Sequence, residues 1–232
     1  MLAAGANVFA ADISTAVEAN HKNCNKHPNY FVCQTDILNL PVLPEQFDIV
    51  VCIGVIQHTP DPEETMKALC TYLKPGGLLI IDHYSRKYPV TPSRRLLRAF
   101  LFTRSKSFSM TLCKALVSIL WPLHRMLWKA INLRGLRQMK WLRKGRSLFL
   151  YLSPVVDYQD AYPQLGSDLL YKWSVLDTYD TLTDYYKHLR NADEIIRHLE
   201  QCGMVDIIAE YAGNGVEARA RKALTPNTVK AN

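Results

Sequence analysis

Between His83 and Val156 the chain has no aspartate and no glutamate. The same stretch carries 16 of the 28 lysine and arginine residues, which leaves 12 basic against 21 acidic residues elsewhere. So one-sided a middle excludes an evenly mixed charged surface there and points to an anionic partner for it. Six cysteines (Cys24, Cys33, Cys52, Cys70, Cys113, Cys202) are scattered with no C-x-x-C pair. That excludes a paired-cysteine zinc or redox motif, and no metal site is expected. Free, buried thiols in a reducing compartment fit instead. The longest uncharged apolar run of the middle, 115–123, is far short of the roughly 20 residues needed to span a bilayer. Residues 1–11 lack a basic start and a clean apolar core, so no leader is expected and the location expected is cytoplasmic. No G-x-G-x-x-G segment precedes residue 47, and internal repeats and low-complexity tracts are absent.

What is present is concentrated in FDIVVCIGVIQHTPDPEETMKALCTYLKPGGLLIIDHY, running from Phe47 to Tyr84. The run Ile49-Val50-Val51-Cys52-Ile53 is short and rich in β-branched residues, as a strand covered on both faces should be. Asp61, Pro62 and Glu64 then stand as N-cap, first helical residue and third helical residue of a capping box. The helix predicted over 62–73 stops at Lys74-Pro75-Gly76-Gly77, and Leu78-Leu79-Ile80-Ile81 opens the next strand. Further strands are predicted at 8–11, 31–34, 204–211 and 216–220, with a tight turn at Gly213-Asn214-Gly215. A helix is predicted near 15–20, and another starts at a second capping box, Asn191 to Glu194. At 232 residues the chain can bury a sizeable core. Alternating strands and helices imply an α/β fold with a parallel sheet and helices on both faces.

The LKPGG turn and the GVIQHTPDP loop resemble the fourth and fifth strands of class I S-adenosylmethionine-dependent methyltransferases (type 11/12-like). The resemblance implies a doubly wound, Rossmann-like sheet closed by an antiparallel hairpin. In that family a first strand and a Gly-rich loop come before the segment that Leu2 to Asp12 resembles, so the sheet is expected to be N-terminally incomplete. The stretch Trp173 to Arg190, with GNGVEARARK near the end, looks like bacterial members acting in cell-surface glycan or secondary metabolism. Three parts are expected: a cofactor-binding α/β part at 1–84, a basic helical insertion at 85–171, and completion of the α/β domain at 172–232.

Ligands of open α/β sheets bind beyond the carboxyl ends of the strands. Asp12 ends the first predicted strand, where a carboxylate can accept both ribose hydroxyls of a nucleoside cofactor; Ile13 would pack on the adenine. The resemblance gives Asp36 the adenine amino group and the following backbone N–H, at Ile37, a supporting bond to the ring. Ile53 and Gly54 would line the methionine end of S-adenosylmethionine. In the loop beyond, His58 is the candidate general base for an acceptor hydroxyl, beside Gln57. Asp82, His83 and Tyr84 leave the next strand and could face substrate. Each of these residues also has a plainer reading as a turn, cap or loop-orienting group.

The middle begins with Pro89 and Pro92 and then turns helical. Leu112, Ala115, Leu116, Ile119, Leu120, Leu123, Met126 and Leu127 recur at helical spacing, and Pro122 is expected to kink or end a helix. Three readings stay open for it. One is a lid of amphipathic helices with solvated charges. A second is peripheral attachment to an anionic membrane at its inner face, with Trp121 and Trp128 at the interface, presenting a lipid-linked acceptor. Nucleic acid comes last: Trp121, Trp141 and Tyr151 could stack bases, but no RNA-binding module is recognisable. The function expected is methylation of a small-molecule, sugar or lipid-linked acceptor, at oxygen before nitrogen or carbon. A non-catalytic binding or membrane-interaction protein on a degenerate methyltransferase fold is the alternative.

Overall fold

The computed structural model describes residues 1–87, 91–133, 139–213 and 215–224. Pro89 and Asn214 lie outside them. The chain divides into two compact units, Met1–Tyr88 with Tyr186–Asn232, and Pro89–Tyr185.

The first unit is α/β. Strand β1 (Val8–Asp12) runs through α1 (Ala16–Cys24) to β2 (Tyr30–Gln34), and the two strands pair in parallel. Strand β3 (Phe47–Cys52) leads through α2 (Pro62–Tyr72) to β4 (Leu73–Tyr84), again in parallel. Asp61 caps α2 by accepting from the Glu64 N–H at 3.0 Å, with Pro62 in the first turn where its missing N–H costs nothing. The LKPGG turn is absorbed into β4 as an irregularity. Leu73 pairs with Phe47, the register shifts, and Leu78 pairs with Ile49. Gly76 (φ 78°) takes the left-handed conformation that the turn requires.

The chain returns through α7 (Ala192–Gln201), β5 (Met204–Ala212) and β6 (Gly215–Lys222). The bonded order is β3-β4-β6-β5, with β6 antiparallel to both neighbours, so the expected closing hairpin is present. At the start of α7, Glu194 accepts from the Asn191 N–H at 2.7 Å and pairs with Arg86 at 2.7 Å. The Arg86 bond and the Asn191 N–H together pull the Glu194 carboxyl down to about 2.

The core of this unit lies on one face of the four-stranded sheet. Met66 and Leu69 of α2 and Ile195 and Leu199 of α7 pack with Leu79, Ile81, Val216 and Ala218. The opposite face differs from the expectation of helices on both sides. Ile49, Val51 and Ile53 are 54%, 40% and 51% exposed. Among the described residues β1 and β2 form a sheet of their own, and neither β1 nor β3 pairs with a further strand. The two sheets touch where the Phe9 and Phe47 rings meet at 5.8 Å, both near the amino ends of their strands. Of the cysteines, Cys52, Cys70 and Cys113 are buried as expected, while Cys24, Cys33 and Cys202 are only partly so; all six are free.

The second unit is helical: α3 (Pro92–Leu101), α4 (Lys106–Asn132), α5 (Lys140–Leu152) and α6 (Ser167–Thr183). It extends past the expected boundary at 171, because α6 buries Leu170 and Val175 against Val117 and Trp121 of α4, and Leu182 against Leu101 and Cys113. Pro122 does not end a helix; it lies inside the 27 residues of α4. The buried side of α4 is Ser109, Cys113, Val117, Trp121 and His124. Trp121 is therefore a core residue, edge-on to Tyr171, and cannot sit at a membrane interface or stack a base.

Inside this unit the His124 ring lies 2.9 Å from Asp157 Oδ2 and 2.9 Å from Ser153 Oγ. The connectivity matches a nucleophile–base–acid triad. Ser153 and His124 are nevertheless buried, and Ser153 Oγ also accepts from the Val155 N–H. With hydroxyl and ring both buried and hydrogen-bonded, the trio is a satisfied polar strut joining the end of α5 to α4.

The two faces of the sheet should respond differently to truncation. Leu79→Ala, on the covered face, is expected to cost about 3 kcal/mol. Val51→Ala, on the exposed face, should cost about 0.5 kcal/mol or less. Urea unfolding measures both, and equal losses would show the outer face to be covered in solution.

Candidate active site

The first carboxylate sits where β1 ends. Asp12 is exposed, and its Oδ1 accepts from the Ser14 N–H at 2.8 Å and the Ser14 hydroxyl at 2.7 Å. Its Oδ2 bonds no described residue. The Asp12 carbonyl accepts from the Thr35 N–H at 3.0 Å, which brings the end of β2 alongside. One residue on, Asp36 Oδ1 accepts from the Leu38 N–H at 3.0 Å and starts a short 3-10 turn, Ile37–Asn39. Two carboxylates thus stand at neighbouring strand ends, each also performing a local turn role. Ile13 is 70% exposed beside Asp12 and accepts through its carbonyl from Gln34. Ile37 packs against the core, and its carbonyl accepts from the Tyr72 hydroxyl.

At the end of β3, Ile53 is exposed and Gly54 adopts φ 74°. A Cβ on Gly54 would meet nothing within 4 Å. Glycine is needed here for the left-handed backbone, and that backbone faces open space. Its N–H donates to Asp82 Oδ1 at 2.6 Å. Asp82 is 4% exposed, so it does not face a substrate; it fixes the turn at the end of β3 from the adjacent strand β4. Burial pushes its carboxyl above the usual range, while the Gly54 N–H pulls it back. The place expected for Asp82 is facing substrate, and the turn-fixing role corrects that expectation. The signal was an acid ending an apolar strand, but its partner lies 28 residues away.

His58 closes a 3-10 turn, Ile56–His58, beyond Gly54. Its Nδ1 lies 3.1 Å from the Tyr186 carbonyl, and its ring is edge-on to Tyr84 at 5.3 Å. A carbonyl can only accept, so the neutral ring carries its proton on Nδ1 and its lone pair on Nε2. Gln57 and His83 are turned the other way. Both are fully buried. The Gln57 carbonyl accepts from the His188 N–H at 3.0 Å, and burial lowers the basicity of His83. His83 therefore belongs to the core and not to the substrate side. Behind the loop, Arg190 grips Glu63 with two bonds of 2.7 and 2.9 Å and donates its N–H to the Tyr84 carbonyl. That clamp ties the start of α2 to the end of β4.

Two acceptor carboxylates and an open glycine backbone at strand ends suit a ligand with vicinal hydroxyls and an amino-bearing ring. Residues 1–81 match the family described as "Methyltransferase domain". The match ends inside β4, so it takes in Asp12, Asp36, Gly54 and His58. Among curated relatives, an enzyme named ubiquinone biosynthesis O-methyltransferase from Coxiella burnetii (strain Dugway 5J108-111) is 30% identical over 102 residues, 43% of this chain and 39% of that protein. The protein of the same name from Stutzerimonas stutzeri (strain A1501) is 42% identical over 43 residues, 18% of each. The chain spans well under half the length of the curated relatives it matches. A solved methyltransferase from Methanosarcina mazei superposes with a TM-score of 0.48 at 12% identity, over 97% of this chain and 85% of that one.

The Asp82 arrangement has a measurable pH signature. A carboxyl whose proton is held more tightly in the folded state favours folding at low pH. That contribution is lost as pH rises from the ordinary aspartate range through the raised value. Asp82→Asn keeps an oxygen acceptor for Gly54 and removes the ionisation. Melting temperature against pH should fall less steeply over that window in the variant; an unchanged profile would show that Asp82 ionises freely.

Proposed function

We propose that this chain acts as an S-adenosylmethionine-dependent methyltransferase on the oxygen of a small-molecule, sugar or lipid-linked acceptor. The observation that carries this reading is that the methyltransferase-domain match takes in the ends of the strands that lead to Asp12, Asp36 and Gly54. The oxygen preference is supported by the names of the curated relatives, which are O-methyltransferases.

On this reading Asp12 accepts from the ribose hydroxyls and Ile13 covers the adenine. Asp36 accepts from the adenine amino group, with the Ile37 N–H beside it. Ile53 and Gly54 present backbone to the methionine end, where the absent Cβ of Gly54 leaves room for close approach. When bound, the cofactor supplies an activated methyl group. The chain's own work is then to align the acceptor oxygen and exclude water. His58 Nε2 would take the proton that the acceptor hydroxyl gives up as the methyl group passes to its oxygen and the sulfur keeps the electron pair of the broken sulfur–methyl bond.

One observation favours a second, non-catalytic reading. Among the described residues the β1–β2 pair and the β3-β4-β6-β5 sheet share no hydrogen-bonded ladder, so no backbone ladder joins the two parts that would hold the cofactor. A protein of that kind would keep partner or membrane binding and lose the cofactor.

Calorimetry with S-adenosylmethionine and S-adenosylhomocysteine separates the readings. The first expects binding that Asp12→Ala weakens about tenfold or more, as loss of a charge-assisted hydrogen bond should. His58→Gln should keep cofactor affinity and lower kcat about 100-fold. Absence of binding to either ligand would support the second reading. Label transfer from the methyl donor to RNA or protein alone, with none to glycan or lipid fractions, would overturn the proposed acceptor class.

A further inference from the structure

The helical unit carries more apolar surface than its own packing uses. On α3, Leu96 and Phe100 are one turn apart on the same side, 73% and 43% exposed. Phe108, at the start of α4, reaches Phe100 with ring centroids 6.2 Å apart and is itself 47% exposed. Tyr151 of α5 joins Pro92, Arg95, Leu96 and Ala99 around one shallow groove. Leu148 and Leu152, neighbours of Tyr151 along α5, are 59% and 55% exposed. Three helix segments thus contribute to a single patch, well beyond the scattered exposed leucine that any surface shows.

The charges carried by the segments that form the patch have one sign. Arg95 lines the groove, and the Arg104 guanidinium lies 4.7 Å above the Phe100 ring. Lys106 follows at the start of α4, and no acidic residue occurs from His83 to Val156. A protein partner with an apolar face would be met by apolar contact alone. A rim of cations around large apolar side chains matches a layer whose surface is negative and whose interior is hydrocarbon. Among the described residues no helix is long and apolar enough to cross a membrane, which leaves the interfacial mode.

We infer that this patch on α3, the start of α4 and the end of α5 docks the protein on an anionic phospholipid bilayer. Leu96, Phe100, Phe108 and Leu148 enter the acyl boundary, and Arg95, Arg104 and Lys106 lie at the phosphates. The inference rests on the helical unit alone and stands or falls separately from methyl transfer.

The test is co-sedimentation of the full chain with vesicles of phosphatidylcholine, and of phosphatidylcholine containing phosphatidylglycerol. Binding is expected to the anionic vesicles only, and should weaken as salt is raised. Leu96→Ser with Phe100→Ser, and separately Arg95→Glu with Arg104→Glu, should each lower partitioning about tenfold or more. All four side chains are outside the helical core, and circular dichroism checks that the variants fold. No binding to anionic vesicles would overturn the inference. So would binding unaffected by either pair of substitutions. Retention of RNA but not vesicles, or a dimer in solution that the serine variants dissociate without any vesicle binding, would assign the patch to another occupant and overturn it equally.

Discussion

The α/β unit depends on β4 being hydrogen-bonded along both edges. One edge takes β3 in parallel and the other takes β6 antiparallel. Leu79 and Ile81 project from it into the core between α2 and α7. Its carboxyl end carries Asp82, which holds Gly54, and the Tyr84 carbonyl, which holds Arg190. Backbone pairing, core packing and the geometry of the candidate site therefore converge on one strand. A strand with no free edge cannot slide in register without breaking two ladders at once. That is what keeps Gly54 and His58 in place beyond the sheet.

Local signals are legible in the sequence because their partners are near. Asp61 and Pro62 mark the start of α2, and the β-branched run 49–53 marks β3, through interactions within a few residues. Helix α4 shows the limit. Its apolar residues lie on more than one side, so periodicity alone did not separate the buried row Cys113, Val117 and Trp121 from Ile119 and Met126, which are 74% and 58% exposed. The boundary of the helical unit moved to Tyr185 for a related reason, since the residues that bind α6 to α4 lie some fifty positions earlier in the chain. Among the candidate site residues, the positions of Asp12, Asp36 and Gly54 at or just past strand ends are legible in the sequence. The inward turn of Gln57 and His83, and the bond from Gly54 to Asp82, are long-range and leave no local trace.

The two units solve the problem of a basic chain in different ways. In the α/β unit, cations are tied to acids, as in Arg86–Glu194, Arg190–Glu63 and Lys222–Glu45. These pairs fasten helix starts and strand ends. The helical unit has few acids to spend on such fastening. Arg98 meets Asp184, and Arg146 lies near Asp157 and Asp160, all acids from beyond the cationic stretch. The amphipathic helices keep their remaining cations on a surface that also displays large apolar groups, which a purely solvated face would not need.

The place of β6 bears on how the protein is made. Among the described residues it is the last strand, yet it lies between β4 and β5. As residues leave the ribosome in order, β4 must wait with an open apolar edge, and β5 has no neighbour at all, until positions 215–222 emerge. A chain stopped just short of that point would lose the joint of the four-stranded sheet. Nascent and prematurely ended chains therefore share one exposed edge, the surface that chaperones and proteases would meet first.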